Sequence, residues 1–310
     1  MQSLSFLVSR MAIPDARPAP DTVAGPRILP ANFATNVDPG LLPRLIEVVR
    51  RVAHEQVMPC YLNVARHRKS DGSLFTQADL ATQEALTTEL LRLVDCPFLG
   101  EEMSEAQQQS LWAAGDNGVW CVDPIDGTSN FVNGIPYFAV SVALVQRGRP
   151  VVGVVYDPVA DECFSAQRGE GAWLNGEPLP IKEGASALHE AIAEVDMKRL
   201  PRHLALLLGH QPPYASQRNF GASTLEWCYV AAGRFDVYLH GGQKLWDYAA
   251  GSLILEEAGG HYCGLYEDEF WGGNPWKRSV IAALRPELFA DWKDWLRERL
   301  DLRGRIDPTG

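Results

Sequence analysis

Apolar residues in the first third of the chain recur with the period of an α-helix. Between residues 42 and 57 they return every three or four positions, and Asp38-Pro39 supplies a plausible cap and first helical residue. A second helical pattern covers residues 76–94, where Thr76 and Asp79 are spaced as in a capping box. We therefore predict two amphipathic helices, and any chemical role of Asp79 must be compatible with this capping role.

The pattern changes to that of strands between residues 119 and 174. Short β-rich segments alternate here with Gly, Pro and Asp turns, and the predicted strands include 137–146, 151–156 and 162–166. Asn175-Gly176 is typical of a tight hairpin turn that joins a further pair of strands. This part of the chain is therefore predicted to form an antiparallel sheet flanked by the first two helices.

Helical and strand patterns alternate after about residue 185. The predicted helices cover 222–233, 247–258 and 286–300, and the predicted strands cover 235–239, 261–264 and 279–283. Alternation of this kind favours an α/β unit, in which helices cover a sheet with parallel strands. The chain is therefore expected to combine α+β and α/β organisation.

Length, charge and cysteine content exclude several classes of function. The 310 residues are 46% hydrophobic, enough for a large core, and a net charge of −11 argues against sequence-independent nucleic-acid binding. No apolar stretch reaches the roughly 18 residues of a membrane-spanning helix. The six cysteines are scattered without a Cys-x-x-Cys pair, which predicts reduced core residues. We therefore expect a cytoplasmic protein with no nucleic-acid or membrane partner.

Residues 123–128, Asp-Pro-Ile-Asp-Gly-Thr, form the most informative motif, and they directly follow an apolar strand-like run. The two carboxylates form a hard oxygen site that suits Mg²⁺, and the N–H groups of a turn that opens a helix would face an anion. The spacing matches neither an EF-hand loop nor the Asp-x-Asp of aspartyl-phosphate phosphatases. Asp and Gly are also common in turns that bind nothing, so the motif alone leaves a purely structural role open.

Similar acids occur elsewhere in the chain. Glu101 follows an apolar strand end, and Asp247 comes directly after Trp246 at the start of an apolar helical run. Together with Asp79 and the 123–128 motif, these residues resemble the inositol monophosphatase family of lithium-sensitive, Mg²⁺-dependent sugar phosphatases. The resemblance covers residues 41–300. Its motifs are highly specific for the superfamily and much less specific for the substrate.

The resemblance implies a layered α-β-α-β-α sandwich and a phosphoric monoester hydrolase that uses two to three Mg²⁺ ions. The implied metal ligands are Glu101, Asp123, the carbonyl group of Ile125, Asp126 and Asp247. The implied catalytic residues, which would orient and deprotonate the attacking water, are Asp79 and Thr128. The implied phosphate and substrate contacts are Gly127, Thr128, Ser129, Gly221, Ser223 and His240. Family analogy also implies a homodimer.

Three segments follow from these patterns. Residues 1–36, which are rich in proline, are expected to form a flexible N-terminal extension. Residues 37–184 are expected to form an α+β subdomain with the antiparallel sheet and the main metal motifs. Residues 185–310 are expected to form an α/β subdomain that completes the active site.

The substrate side departs from the resemblance at His240, where inositol-specific relatives carry a glutamate that accepts hydrogen bonds from ring hydroxyls. A histidine can accept one hydrogen bond but cannot replace a carboxylate. Glu226 could substitute for that glutamate, although we expect it to be a surface acid. The departure leaves the phosphatase chemistry intact, and it leaves the identity of the substrate open.

Three functions therefore stay open. The first is a phosphomonoesterase acting on a sugar or polyol phosphate that resembles inositol 1-phosphate. The second applies the same chemistry to 3′-phosphoadenosine 5′-phosphate, fructose 1,6-bisphosphate or histidinol phosphate. A bisphosphate would need a basic pocket, for which the candidates are Lys198, Arg199, Arg202 and Arg218. The third is a non-catalytic regulatory protein on the same scaffold, against which the complete set of expected metal ligands argues.

Overall fold

A computed structural model describes residues 37–63, 67–68 and 74–300, so the predicted extension at 1–36 lies outside the described residues. The helices of the described part are α1 Leu41–Val52, α2 Gln77–Leu93, α3 Glu105–Ala113, α4 Thr128–Asn133, α5 Arg202–His210, α6 Ser223–Ala231, α7 Leu245–Glu257 and α8 Pro286–Leu300. A π-helical turn, Ala53–Val57, follows α1 directly. Among these described residues, no helix is both long and apolar enough to cross a membrane.

The strands of the described residues form three sheets. A two-stranded ribbon consists of β1 His67–Arg68 and β2 Leu74–Phe75. The largest sheet consists of β3 Phe98–Gly100, β4 Val119–Asp126, β5 Ala139–Gln146, β6 Arg149–Asp157, β7 Glu162–Gln167, β8 Gly171–Leu174 and β9 Glu177–Pro178. The third sheet consists of β10 Ile192–Asp196, β11 Ser216–Arg218, β12 Val237–Gln243, β13 His261–Cys263 and β14 Arg278–Ala283.

The seven strands β3 to β9 lie in chain order, and every neighbouring pair is antiparallel except β3 and β4. A parallel neighbour requires a crossover connection, and α3 lies between β3 and β4 in sequence. The predicted antiparallel sheet is therefore confirmed, with one parallel pair at its edge. The five-stranded sheet has the order β11-β10-β12-β14-β13, with β10 parallel to both β11 and β12.

Helices and sheets stack in five layers. Helices α1 and α2 pack on the seven-stranded sheet, and helices α6 and α7 lie between the two large sheets. Trp227 of α6 joins a core that includes Val155 from one sheet and Tyr238 from the other. Helices α5 and α8 cover the outer face of the five-stranded sheet, where Trp292 packs with Val237. The layered α-β-α-β-α sandwich is therefore confirmed.

The division of the chain near residue 184 stays a prediction. The seven-stranded sheet ends at Pro178 and the five-stranded sheet begins at Ile192, on either side of that position. Helices α6 and α7, from the second predicted segment, also pack against strands of the first. The two segments therefore share one buried layer between them.

Candidate active site

A β-bulge shapes the end of strand β4. All eight residues of the strand are buried, and Asp123 pairs with Ser141 while Asp126 pairs with Ala139. Three steps along β4 therefore match two steps along β5, which is the register shift of a bulge. A bulge bends the strand and redirects its side chains, and the charges of Asp123 and Asp126 act on each other.

Gly127 makes the turn that follows β4. Its φ of +84° lies in the left-handed region, and an added Cβ would lie 3.0 Å from Ala222 Cβ and 3.1 Å from the carbonyl oxygen of Tyr137. Helix α4 then begins at Thr128, and the Asn130 side chain donates hydrogen bonds to the carbonyl groups of Tyr137 and Phe220 at 2.8 and 2.7 Å. The turn after β4 is thereby tied to the segment that precedes α6.

A cavity of about 450 Å³ opens where β4, α4, α6, α7 and the end of β12 meet. The lining residues that the sequence predicted are Glu101, Asp126, Gly127, Thr128, Ser129, Gly221, Ser223, His240 and Asp247. Four further residues line the cavity. Lys198 and Arg199 were candidates for a bisphosphate pocket, Glu226 was expected at the surface, and Asp196 was not predicted from the sequence. Asp79, Asp123 and Ile125 are buried and do not line this cavity.

Local hydrogen bonds hold one oxygen of each aspartate near the cavity. Asp123 Oδ1 accepts from Ile125 N–H at 3.1 Å, and Asp247 Oδ2 accepts from Lys244 N–H at 2.8 Å. Asp126 Oδ2 accepts from both the N–H and the hydroxyl of Thr224, at 2.6 and 2.7 Å. These bonds orient the carboxylates, and each carboxylate has a second oxygen with which it can bind a cation.

Asp79 and Thr128 have local partners as well. Asp79 Oδ2 accepts from the N–H and the hydroxyl of Thr76, both at 2.7 Å, which completes the predicted capping box of α2. The Thr128 hydroxyl donates to the Ile125 carbonyl oxygen at 3.0 Å. The charge of Asp79 also acts on Asp123, so capping does not remove Asp79 from the electrostatics of the cluster.

The acids near the cavity destabilise one another's charged forms. Burial, followed by the charges of Glu101, Asp126, Asp247 and Asp79, raises the pKa of Asp123 well above its ordinary value. Burial and the charge of Asp126 raise the pKa of Asp247 to about 8. Burial raises the pKa of Asp126 to about 6, against the opposing effect of its bonds to Thr224. The cluster therefore needs positive charge if all of its members are to be ionised.

The donor set of this cluster fits a hard divalent cation, because every candidate ligand is an oxygen atom. In residues 37–63, 67–68 and 74–300, no group of three His, Cys, Asp or Glu side chains is already arranged as a metal ion would hold it. Mutual repulsion opposes such an arrangement, since two charges about 4 Å apart cost roughly 4 kcal/mol at an effective dielectric constant of 20. A cation bound between two carboxylates attracts both of them, and this attraction offsets their mutual repulsion.

Glu226 does not occupy the surface position that we expected. Its side chain is 2% exposed, Oε1 accepts from Gly221 N–H and Oε2 accepts from the Tyr238 hydroxyl, both at 2.9 Å. Burial, then the charge of Asp126, raises the pKa of Glu226 to about 7, and burial beside Glu226 raises that of Glu194 to about 9. The surface expectation is wrong because α6 lies between two sheets, and Glu226 instead fixes the Gly221 turn.

The basic candidates separate into two pairs. Lys198 and Arg199 line the cavity, whereas Arg202 and Arg218 do not. Arg199 Nη1 donates to the Gly242 carbonyl oxygen at 2.8 Å, and Arg218 Nη1 donates to Ser216 and Gln217 of its own strand. The cavity is therefore lined by two cationic side chains, and the charge of Arg199 opposes the increase in the pKa of Asp247.

The layered α-β-α-β-α fold is of the sugar-phosphatase type, and acids line its cavity. The chain belongs to the inositol monophosphatase family, whose model matches residues 35–295. An inositol-1-monophosphatase from Rhizobium meliloti is 39% identical over 222 residues, which are 69% of this chain and 79% of that protein. The Nus factor SuhB from Pasteurella multocida is 35% identical over 221 residues, with the same two coverages of 69% and 79%.

A solved structure has the same fold. Staphylococcal IMPase-II bound to inositol monophosphate aligns with a TM-score of 0.66 and 26% identity, covering 84% of this chain and 98% of that one. Members of the family generally use divalent metal ions.

Proposed function

We propose that this protein is a Mg²⁺-dependent phosphomonoesterase that hydrolyses a sugar or polyol phosphate resembling inositol 1-phosphate. The observation that carries the proposal is the clustering of four acids beside the turn that begins at Gly127. Glu101, Asp126 and Asp247 line the cavity, and all three act electrostatically on the buried Asp123. A cytoplasmic location, a homodimeric assembly and inhibition by Li⁺ belong to the same proposal and rest on the family.

The proposed metal ligands are the side chains of these four acids together with the carbonyl group of Ile125. When bound, divalent cations supply positive charge that activates water and neutralises the departing oxygen. The chain's own contribution is orientation, because Thr224 and the N–H groups of Ile125 and Lys244 already hold the carboxylates in place.

Asp79 and Thr128 are proposed to orient and deprotonate the attacking water, with the Asp79 carboxylate as the group that accepts the proton. Asp79 is fully buried and uses Oδ2 for Thr76, so its orientation is fixed by the start of α2. The Thr128 hydroxyl donates to the Ile125 carbonyl oxygen, which leaves its lone pairs for a donor such as water. A base held in this way can act without reorganisation.

The backbone of Gly127, Thr128 and Ser129 is the proposed phosphate contact. These three residues line the cavity next to Asp126, and the absence of a side chain at Gly127 allows the turn to approach Ala222 and Tyr137 closely. The leaving alcohol would then extend toward Gly221, Ser223 and His240. In this proposal a single cavity binds both the phosphate and its alcohol.

A regulatory role is the second candidate, and it is favoured by one observation. A relative that is 35% identical to this chain is named a Nus factor, and that name does not describe an enzyme. The acid cluster favours catalysis, because a protein that did not need the charge would be more stable without it. Phosphate release that depends on Asp126 distinguishes the catalytic candidate from the regulatory one.

The experiment is a measurement of phosphate release with Mg²⁺ over a panel of substrates. The panel consists of inositol 1-phosphate, glycerol 2-phosphate, fructose 1,6-bisphosphate, 3′-phosphoadenosine 5′-phosphate and histidinol phosphate. We expect a polyol phosphate to have the largest kcat/KM, and we expect Asp126→Asn to lower it by about 100- to 1000-fold. Turnover that survives in Asp126→Asn would contradict the proposed metal site. If none of the phosphates is hydrolysed, the regulatory candidate is favoured.

A further inference from the structure

Asp196 and His240 form a pair at the alcohol end of the cavity. They are direct neighbours in the register of the parallel strands β10 and β12, and both line the cavity. His240 Nε2 and Asp196 Oδ2 lie 3.1 Å apart. Asp196 was not among the residues predicted from the sequence, because nothing in the short segment at 192–196 marks an acid as facing a site.

The hydrogen bonds of His240 define which ring nitrogen carries the proton. Nδ1 accepts from the backbone N–H of Gly242 at 3.1 Å, so the proton of the neutral ring lies on Nε2 and is donated to Asp196. Burial lowers the pKa of His240, and the bond to Asp196 opposes this effect. Both ring nitrogens are therefore occupied by the protein, and His240 has no lone pair left for a substrate.

Asp196 remains accessible while its carboxylate is held from two sides. Oδ1 accepts from Lys198 N–H at 2.7 Å, Oδ2 accepts from His240, and the side chain is still 19% exposed. Although burial acts in the opposite direction, the bonds from His240 and Lys198 lower the pKa of Asp196. Each carboxylate oxygen has a further lone pair, so an ionised and oriented acceptor faces the cavity. Glu226, by contrast, is only 2% exposed.

The surrounding charges indicate which chemical group this acceptor fits. Lys198 and Arg199 also line this end of the cavity, so an ammonium group would meet two like charges. A second phosphate group could pair with the two cations, but a phosphate dianion has no hydrogen-bond donor to offer Asp196. A hydroxyl group both donates and accepts hydrogen bonds, and it can pair with Asp196 and with the two cations. The lining therefore suits a neutral alcohol with several hydroxyl groups.

We propose that Asp196 accepts hydrogen bonds from the hydroxyl groups of the phosphorylated polyol, and that His240 is a positioning residue that holds Asp196. This inference rests on the proposed phosphatase function and adds the residue that selects its substrate. Inositol-specific relatives carry a carboxylate at the position of His240, which is on β12 in this protein. We assign the same role to Asp196, on the neighbouring strand β10.

The test compares kcat/KM for inositol 1-phosphate with kcat/KM for phenyl phosphate, which carries no hydroxyl group. We expect Asp196→Ala to lower the ratio of the two values by about 10- to 100-fold, the range for losing hydrogen bonds to a charged group. His240→Ala should lower the same ratio by a smaller factor. His240→Gln should restore part of it, since its amide can still donate to Asp196.

A double variant distinguishes recognition from structural support. In Asp196→Ala/His240→Glu, the register of β10 and β12 places a new carboxylate beside the position of the lost one, so part of the ratio should return. An equal loss for both substrates in Asp196→Ala, or a larger loss for phenyl phosphate than for inositol 1-phosphate, would overturn the inference. If the wild type hydrolysed neither substrate, or if Asp126→Asn hydrolysed both as fast as the wild type, the proposed function itself would be contradicted.

Discussion

Replacing Asp123 with Asn is expected to remove activity and, at the same time, to stabilise the metal-free protein. Asp123 is 2% exposed, and the negative charges of four other acids repel its carboxylate. Burial of the ionised carboxylate is therefore unfavourable without a cation. Asn keeps the size and removes the charge. We expect kcat/KM to fall by about 1000-fold, the equivalent of the several kcal/mol that metal ligation contributes. We also expect the melting temperature in a chelator to rise by about 2–5 °C.

Asp157→Asn is the matched control for this prediction. Asp157 is another buried aspartate at the end of a strand of the same sheet, but it does not line the cavity and caps the N–H groups of Val159 and Ala160. It should leave kcat/KM within about twofold and should not raise the melting temperature. The prediction fails if Asp123→Asn remains active, or if it melts below the wild type in the chelator.

Replacing Gly241 with Ala is expected to destabilise the alcohol end of the site. An added Cβ would lie 2.1 Å from the carbonyl oxygen of Arg199 and 2.3 Å from its carbonyl carbon, so the backbone of one segment must move. Overpacking of this kind costs about 3 kcal/mol, which corresponds to a decrease of roughly 6–12 °C in melting temperature. Calorimetry measures the decrease directly.

Gly242→Ala provides the comparison at the adjacent position. There an added Cβ would meet only the Arg199 and Lys277 side chains, at 3.8 and 4.0 Å. The cost should be below about 0.5 kcal/mol. If the two variants melt at the same temperature, the close approach of Gly241 to Arg199 does not exist in the folded protein.

Periodicity and motif spacing predicted the elements that have strong apolar patterns. Helix α2 and its capping box, strand β5 and helix α8 all lie close to the predicted bounds. Helix α3 was not predicted, because five of its nine residues are polar or charged and a capping box at Ser104, together with packing of Trp112, stabilises it instead. Local pattern is informative only where an element presents one apolar face.

The candidate site divides in the same way. Residues 123–128 and Asp247 lie in short motifs that are recognisable in the sequence, and the acids of these motifs lie close together in the folded chain. Asp196 and Glu226 owe their positions to long-range features, namely the register of β10 with β12 and the burial of α6 between two sheets. A sequence pattern records neither of these, because both depend on segments that are distant along the chain.

The most direct measurement of the central claim is phosphate release from inositol 1-phosphate by the full chain as Mg²⁺ is added back after chelation. The account predicts no turnover in the chelator, saturable recovery with Mg²⁺, and no recovery in Asp126→Asn at any Mg²⁺ concentration. Turnover that is independent of Mg²⁺, or equal recovery in Asp126→Asn, would contradict a metal-dependent phosphatase centre built from these carboxylates.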